Sequence, residues 1–164
     1  MSVAKHVANR RVYTTHSPEQ TIALGRELAK LLRSPKLLIL RGDLGAGKTT
    51  LVKGIAAALG AAEPEEVTSP TFTLIHEYAG RGIQPDSEQE NLGASVLLYH
   101  IDLYRIEGQR QLDTLGMDDL ITPQSLLLIE WGEKFPSVVA RSDGEIVIEM
   151  LSGDERRITL TLWR

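Results

Sequence analysis

Gly42-Asp43-Leu44-Gly45-Ala46-Gly47-Lys48-Thr49 satisfies the pattern G-x-x-x-x-G-K-[ST] at every required position. A polyphosphate needs several backbone N–H donors aimed into one concavity, and only a loop with little Cβ bulk curls that tightly. A helix beginning at Lys48 adds the positive end of its dipole. In such a loop the lysine, here Lys48, reaches the β- and γ-phosphates, and the hydroxyl, here Thr49, takes a place on Mg²⁺. The expected nucleotide-binding residues are therefore Asp43, Leu44, Gly45, Ala46, Gly47, Lys48, Thr49 and Thr50, and Lys48 also stabilises the transferring phosphoryl group. Chance would place this pattern in fewer than about one chain in a hundred of this length. A purely structural use of the glycines would not ask for Lys48 and Thr49.

A phosphate loop also needs a carboxylate at the end of a neighbouring buried strand, to hold Mg²⁺ or its waters. Leu126-Leu127-Leu128-Ile129-Glu130 is a pure aliphatic run ending in an acid, and Val96-Leu97-Leu98-Tyr99-His100-Ile101-Asp102 is a longer one. Glu130 has the cleaner strand and joins Thr49 as the expected metal ligand. Asp102 becomes the candidate for aligning the attacking water or contacting the outer shell of the metal. Thr68-Ser69-Pro70-Thr71-Phe72-Thr73 clusters hydroxyls around a proline. It reads either as a local turn or as a switch in which Thr71 senses the γ-phosphate. His76 and His100 read as strand residues, since neither has a ligand-spaced partner. Arg105 reaches a phosphate or pairs with an acid, and Trp131 packs on the nucleotide or fills the edge of the core. No N-K-x-D or T-K-x-D occurs in the chain, which favours ATP over GTP.

These residues must be held by a strand, a loop and a helix in immediate succession. Lys36–Arg41 is a continuous aliphatic run of the kind buried on both faces, and a helix follows from Lys48 to about Leu59, stopped near Gly60. Upstream, residues 11–15 form an entry strand. Ser17-Pro18-Glu19-Gln20 starts a helix, with Ser17 as cap, Pro18 in the first position and Gln20 closing a capping box. That helix is expected to reach about Arg33, before Ser34-Pro35. Downstream, strands are expected at 72–77, 96–102 and 126–130, and a short helix at 109–115. A C-terminal antiparallel hairpin turns at Ser152-Gly153-Asp154. The Gly-rich, polar stretch 80–95 reads as a flexible surface loop.

Composition narrows the class further. The 164 residues, 42% hydrophobic and 24% charged, suit one domain over 1–164, with residues 1–10 expected to be disordered and to carry no element. Cysteine is absent, which removes disulfides, thiolate nucleophiles and Cys-ligated metals. No run approaches the length of a membrane span and no secretory signal is present, so a cytoplasmic protein is expected. The 18 basic against 22 acidic residues, a net charge of −4, argue against a protein held mainly by nucleic-acid phosphates.

The GDLGAGKTT segment, Ser69-Pro70-Thr71-Phe72-Thr73-Leu74, His100-Ile101-Asp102-Leu103-Tyr104-Arg105 and Leu128-Ile129-Glu130-Trp131, in that order and spacing, resemble the TsaE family. These are bacterial P-loop ATPases of tRNA threonylcarbamoyladenosine (t6A) biosynthesis. Thr21-Ile22-Ala23-Leu24-Gly25 and Leu115-Gly116-Met117 also fit, and the resemblance spans roughly residues 12–162. It implies an α/β, P-loop NTPase-like three-layer sandwich, with a central mixed sheet and antiparallel C-terminal strands. It further implies Mg²⁺-dependent ATP hydrolysis that is weak in isolation. The function it implies is threonylcarbamoylation of N6 of adenosine 37 in tRNAs reading ANN codons, alongside TsaD-like and TsaB-like partners and with little direct grip on tRNA. By position, Thr49 and Glu130 match the family's metal ligands, Thr71 its switch-like threonine and Asp102 the acid important for hydrolysis. The 80–95 stretch is longer than the short hairpin turn expected there. Two rival readings use the same loop: a small-molecule kinase with an Arg-bearing lid, and a binding module whose nucleotide is structural.

Overall fold

Three aliphatic runs, Lys36–Arg41 (β2), Val96–Asp102 (β4) and Ser125–Glu130 (β5), lie side by side and parallel, in the order β2-β5-β4. Runs apolar at nearly every position have no polar face to offer water, so they settle between two covering layers. The computed structural model, which describes residues 5–33, 36–71, 73–81 and 95–163, places them inside a seven-stranded mixed sheet. Gly144–Met150 (β6) pairs parallel to the other side of β2. Arg156–Trp163 (β7) and Val7–Thr15 (β1) extend that edge antiparallel, and Ile75–Gly80 (β3) closes the opposite edge antiparallel to β4. The full order is β1-β7-β6-β2-β5-β4-β3.

Strand alternation divides the core in two. Leu38, Leu40, Leu98, Leu126 and Leu128 face Pro18–Ala29 (α1) and Lys48–Ala58 (α2). Leu37, Ile39, Tyr99, Ile101, Leu127 and Ile129 face a thinner layer built from Gln109–Thr114 (α3), Pro136–Arg141 (α4) and the 3₁₀ turns at 117–120 and 132–134. The result is the expected α/β three-layer sandwich with an antiparallel C-terminal hairpin.

Several boundaries differ from expectation, each for a local reason. β1 begins at Val7, four residues before the expected 11–15 strand and inside a stretch expected to carry no element. Its pairing with β7 runs from Val7↔Trp163, and the side chains before Tyr13 are exposed, so this edge strand shows no apolar alternation to read. Helix α1 opens as predicted: Ser17 Oγ accepts from Gln20 N at 3.1 Å, and Gln20 Oε1 accepts from His16 N at 2.8 Å. It ends at Ala29, short of Arg33, because Leu31 and Leu32 donate to carbonyls three residues back, a tightened last turn. The strand expected at 72–77 begins only at Ile75. Leu74 takes φ 69°, and its N–H donates to Pro70 O at 2.7 Å, so the preceding segment turns instead of extending. Apart from Gly80, Arg81 and Ser95, the stretch expected to be a surface loop lies outside the described residues.

The two helices of the first layer meet at glycines. A Cβ on Gly25 would run into Leu51 O, and one on Gly54 into Ile22 O. This close approach sets where α2 begins, and Lys48 and Thr49 with it. Gly54→Ala is therefore expected to destabilise the protein by about 1–3 kcal/mol, overpacking outweighing the gain in helix propensity. Urea unfolding checks this, and a midpoint equal to or above that of the unmodified protein would refute the contact's role.

Candidate active site

Parallel strands pair residues that point to the same face, and this puts the acids together. Asp102 is in register with Glu130, and Leu40, at the end of β2, lies opposite Glu130 on the other side. Counting forward in twos from Leu128 and Leu98, both acids and His100 project to the α2 face. They do so at the C-terminal strand ends, from which the phosphate loop springs.

The loop folds as its sequence requires. Gly45 and Gly47 take φ 80° and 109°, conformations that cost a side-chain-bearing residue free energy. The turn closes through Ala46 N donating to Asp43 O at 3.0 Å, and Leu51 N donates to Gly47 O at 2.9 Å. Leu44, at the tip, is 96% exposed. Thr49 and Thr50 sit half-buried in the first turn of α2. Beside the loop, a cleft of about 150 Å³ is lined by Pro18, Thr21, Gly45, Thr50, Asp154 and Arg156, among others.

Lys48, only 9% exposed, donates from Nζ to Gly42 O at 2.7 Å and lies 3.2 Å from Glu130 Oε1. Its ammonium also stands 5.4 Å from the centroid of the Trp131 ring. Glu130 is 4% exposed, and its other oxygen, Oε2, contacts His100 Nε2 at 2.6 Å. Burial opposes ionisation of this carboxyl. The His100 hydrogen bond and the Lys48 ammonium outweigh it and hold Glu130 below its ordinary value of 4.5. Glu130 is therefore an ionised carboxylate nearly sealed from water.

Asp102, also 4% exposed, accepts from Thr71 Oγ1 at 3.0 Å through Oδ2 and from Tyr104 N at 2.9 Å through Oδ1. Thr71 Oγ1 is in turn 2.8 Å from Ser69 Oγ. The segment 68–73 thus docks onto the acid at the end of β4. His76, on β3, secures it from beneath, with Nε2 at 2.6 Å from Thr73 Oγ1 and Nδ1 at 3.2 Å from Thr68 O.

The structure brings together most of the residues singled out in the sequence: Lys48 with Glu130, Glu130 beside Asp102, Asp102 with Thr71. Trp131 lies at the core edge, 5.3 Å from the Tyr104 ring, with φ 64°. Three residues escaped sequence reasoning. His100 is the one in direct contact with a site acid. Arg156 donates from Nε to Ala46 O at 2.9 Å and from Nη1 to Gly153 O at 2.7 Å, tying the C-terminal hairpin to the phosphate loop. Lys134 donates from Nζ to Tyr104 O at 2.9 Å and Ile106 O at 3.0 Å, holding the chain that leaves β4. No local pattern marks Lys134 or the contact of Arg156 with Ala46, whose acceptors are backbone carbonyls far away in sequence.

The donor set suits a hard divalent cation. Its members are the Thr49 hydroxyl and the Glu130 carboxylate, with Asp102 adjacent, all oxygen. Among the described residues, no cluster of three or more His, Cys, Asp or Glu side chains forms a metal site by itself. Any ion here needs ligands from a bound phosphate or from water, which is the habit of Mg²⁺.

Comparison with known proteins gives a consistent picture. The family model described as "Threonylcarbamoyl adenosine biosynthesis protein TsaE" matches residues 15–158. A Bacillus subtilis relative described as tRNA threonylcarbamoyladenosine biosynthesis protein TsaE is 38% identical over 149 residues, covering 91% of this chain and 84% of the relative. An Aquifex aeolicus protein of the same description is 35% identical over 144 residues, covering 88% and 90%. Among solved structures, Bacillus subtilis YdiB superposes with a TM-score of 0.64 at 31% identity, covering 97% of this chain and 88% of that one. No helix among the described residues is long and apolar enough to cross a membrane.

The lowered pKa of Glu130 has a measurable consequence. A carboxyl depressed in the folded state contributes stability that is fully present above its unfolded value and is lost as pH falls through the folded one. Stability of the nucleotide-free, metal-free protein should therefore decline below pH about 4.5. Glu130→Gln should flatten this part of the stability–pH curve, as read by denaturant unfolding at a series of pH values; an unchanged slope would contradict the assigned ionisation.

Proposed function

Because the chain belongs to the TsaE family of threonylcarbamoyl adenosine biosynthesis proteins, we propose that it is the Mg²⁺-dependent, ATP-hydrolysing accessory protein of tRNA t6A formation. It acts with TsaD-like and TsaB-like partners that carry the threonylcarbamoyl transfer to N6 of adenosine 37. The observation that carries the reading is the register of β2, β5 and β4. It sets a phosphate-loop lysine, a buried ionised carboxylate and a second acid bonded to a threonine loop within one strand-end crevice.

Each residue has a role that its position supports. The loop amides of 43–50 and the start of α2 bind the phosphates, and Lys48 moves its charge from Glu130 onto the transferring phosphoryl group. Thr49 and Glu130 hold the metal, which when bound neutralises charge on the triphosphate. Asp102 accepts a proton from, or orients, the attacking water, and Thr71 reports the γ-phosphate to the segment 68–73. A net charge of −4 suits a protein that reaches tRNA through partners.

Lys48→Ala is expected to abolish nucleotide-dependent modification. Asp102→Ala is expected to keep nucleotide affinity while lowering hydrolysis about 10²–10⁴-fold, the ordinary worth of a positioned acid–base group. Phosphate release and equilibrium binding of ATP, measured on the same preparations, check both; undiminished turnover in Asp102→Ala would overturn that residue's role. Pathway membership is tested by affinity capture with and without ATP. Recovery of a threonylcarbamoyl transferase complex in only one nucleotide condition supports the reading, and failure to recover one in either condition refutes it.

A further inference from the structure

His100 has no role in the function proposed above, yet it has the most constrained environment of any polar residue in the crevice. It is fully buried on β4, between β5 and the edge strand β3 and two residues before Asp102. Its Nε2 lies 2.6 Å from Glu130 Oε2, and its Nδ1 is buried with no hydrogen-bond partner among the described residues. Glu130 is ionised and can only accept, so Nε2 carries the proton and donates. The orphaned Nδ1 is a buried polar atom without a partner, which costs free energy in a dry interior; an apolar side chain of similar size would fill the space without that cost. Packing therefore does not account for an imidazole at this position, whereas orientation of Glu130 does.

We propose that His100 is the positioning residue of the metal-binding acid: it fixes Glu130 Oε2 so that Oε1 is presented to Lys48 and the phosphate loop. This rests on the reading of Glu130 as a metal ligand. The side-chain atoms of Glu130 have two polar partners, and Lys48 is the one required elsewhere, on the phosphates. When that ammonium transfers, the His100 hydrogen bond is the restraint that remains on a side chain with three rotatable torsions. Outer partners of metal ligands act in this way, by fixing the orientation of the donor atom and raising its basicity.

The test is equilibrium binding of a fluorescent ATP analogue, first in chelator and then in titrated Mg²⁺. His100→Leu is expected to raise the Mg²⁺ concentration for half-maximal effect about 10–100-fold while leaving chelator-phase affinity within about twofold. His100→Gln, whose amide nitrogen reaches the ring Nε2 position, is expected to restore most of the Mg²⁺ response; His100→Asn, whose amide stops short, is not. The Gln and Asn pair keeps the test decisive if the Leu variant fails to fold. A Mg²⁺ response the same in His100→Leu as in the unmodified protein overturns the proposal, as does equal weakening with and without Mg²⁺. Glu130→Gln is run in parallel. If it too leaves the Mg²⁺ response unchanged, the metal role of Glu130 is wrong and this proposal falls with it. If it raises the Mg²⁺ requirement while His100→Leu does not, only the positioning role falls.

Discussion

One ionised carboxylate, held almost entirely out of water at the end of β5, constrains the rest of the site. A buried charge survives only with partners of fixed geometry. Those of Glu130 come from two different elements: His100 from β4 and Lys48 from the start of α2. The register of β4 on β5 is thereby specified by more than aliphatic packing. A slip of one residue would turn His100 and Asp102 to the α3–α4 face and leave Glu130 without its imidazole donor. The placement of α2, which carries Lys48, is constrained as well, because the Gly25–Gly54 contact fixes how closely it packs on α1.

Asp102 is bound differently, and the contrast separates the two acids. Its oxygens accept from Thr71 and from the Tyr104 amide, so it joins two connecting segments, whereas Glu130 joins core elements. A non-glycine residue in the left-handed region stands beside each acid's site: Leu74 ends the threonine loop that docks on Asp102, and Trp131 directly follows Glu130. Such conformations cost about 1–3 kcal/mol each and persist where surrounding contacts over-determine them. A hydroxyl has a single proton, and Thr71 gives it to Asp102. A phosphate oxygen that accepts from Thr71 must take that proton from the acid. Contact between the threonine loop and a nucleotide is therefore coupled to the state of Asp102 without any further residue.

Much of this was legible in the sequence, for reasons that differ by segment. The phosphate loop, the Ser17 cap and the runs 96–102 and 126–130 are specified by local chemistry, so their elements could be read directly. The pairing of Asp102 with Glu130 was also accessible, because two aliphatic runs each ending in an acid align their ends when they lie parallel. His100 is the strand residue it was expected to be, but a search for metal-ligand spacing gave it no partner. The signal lay elsewhere, in an imidazole two residues before an acid within an otherwise apolar strand, hence on the same face. β1 escaped over 7–10 because an exposed edge strand needs no apolar alternation. The strand expected at 72–77 failed because the left-handed turn at Leu74 is set by a local bond, its N–H to Pro70 O, together with a tertiary one, its carbonyl accepting from Asp102 N.

The Lys48–Glu130 contact also bears on the order of events at the site. Removing one partner of a buried ion pair costs about 3–5 kcal/mol, because the other charge is left without compensation. Phosphates that draw Lys48 away therefore impose this cost unless another cation takes its place beside Glu130. A monovalent ion would only restore the original balance, whereas a divalent one also offsets charge brought by the triphosphate. Mg²⁺ alone, arriving first, would meet an acid already paired with an ammonium. On the proposed function, nucleotide and metal would therefore enter together, through a single exchange of cations on Glu130 Oε1.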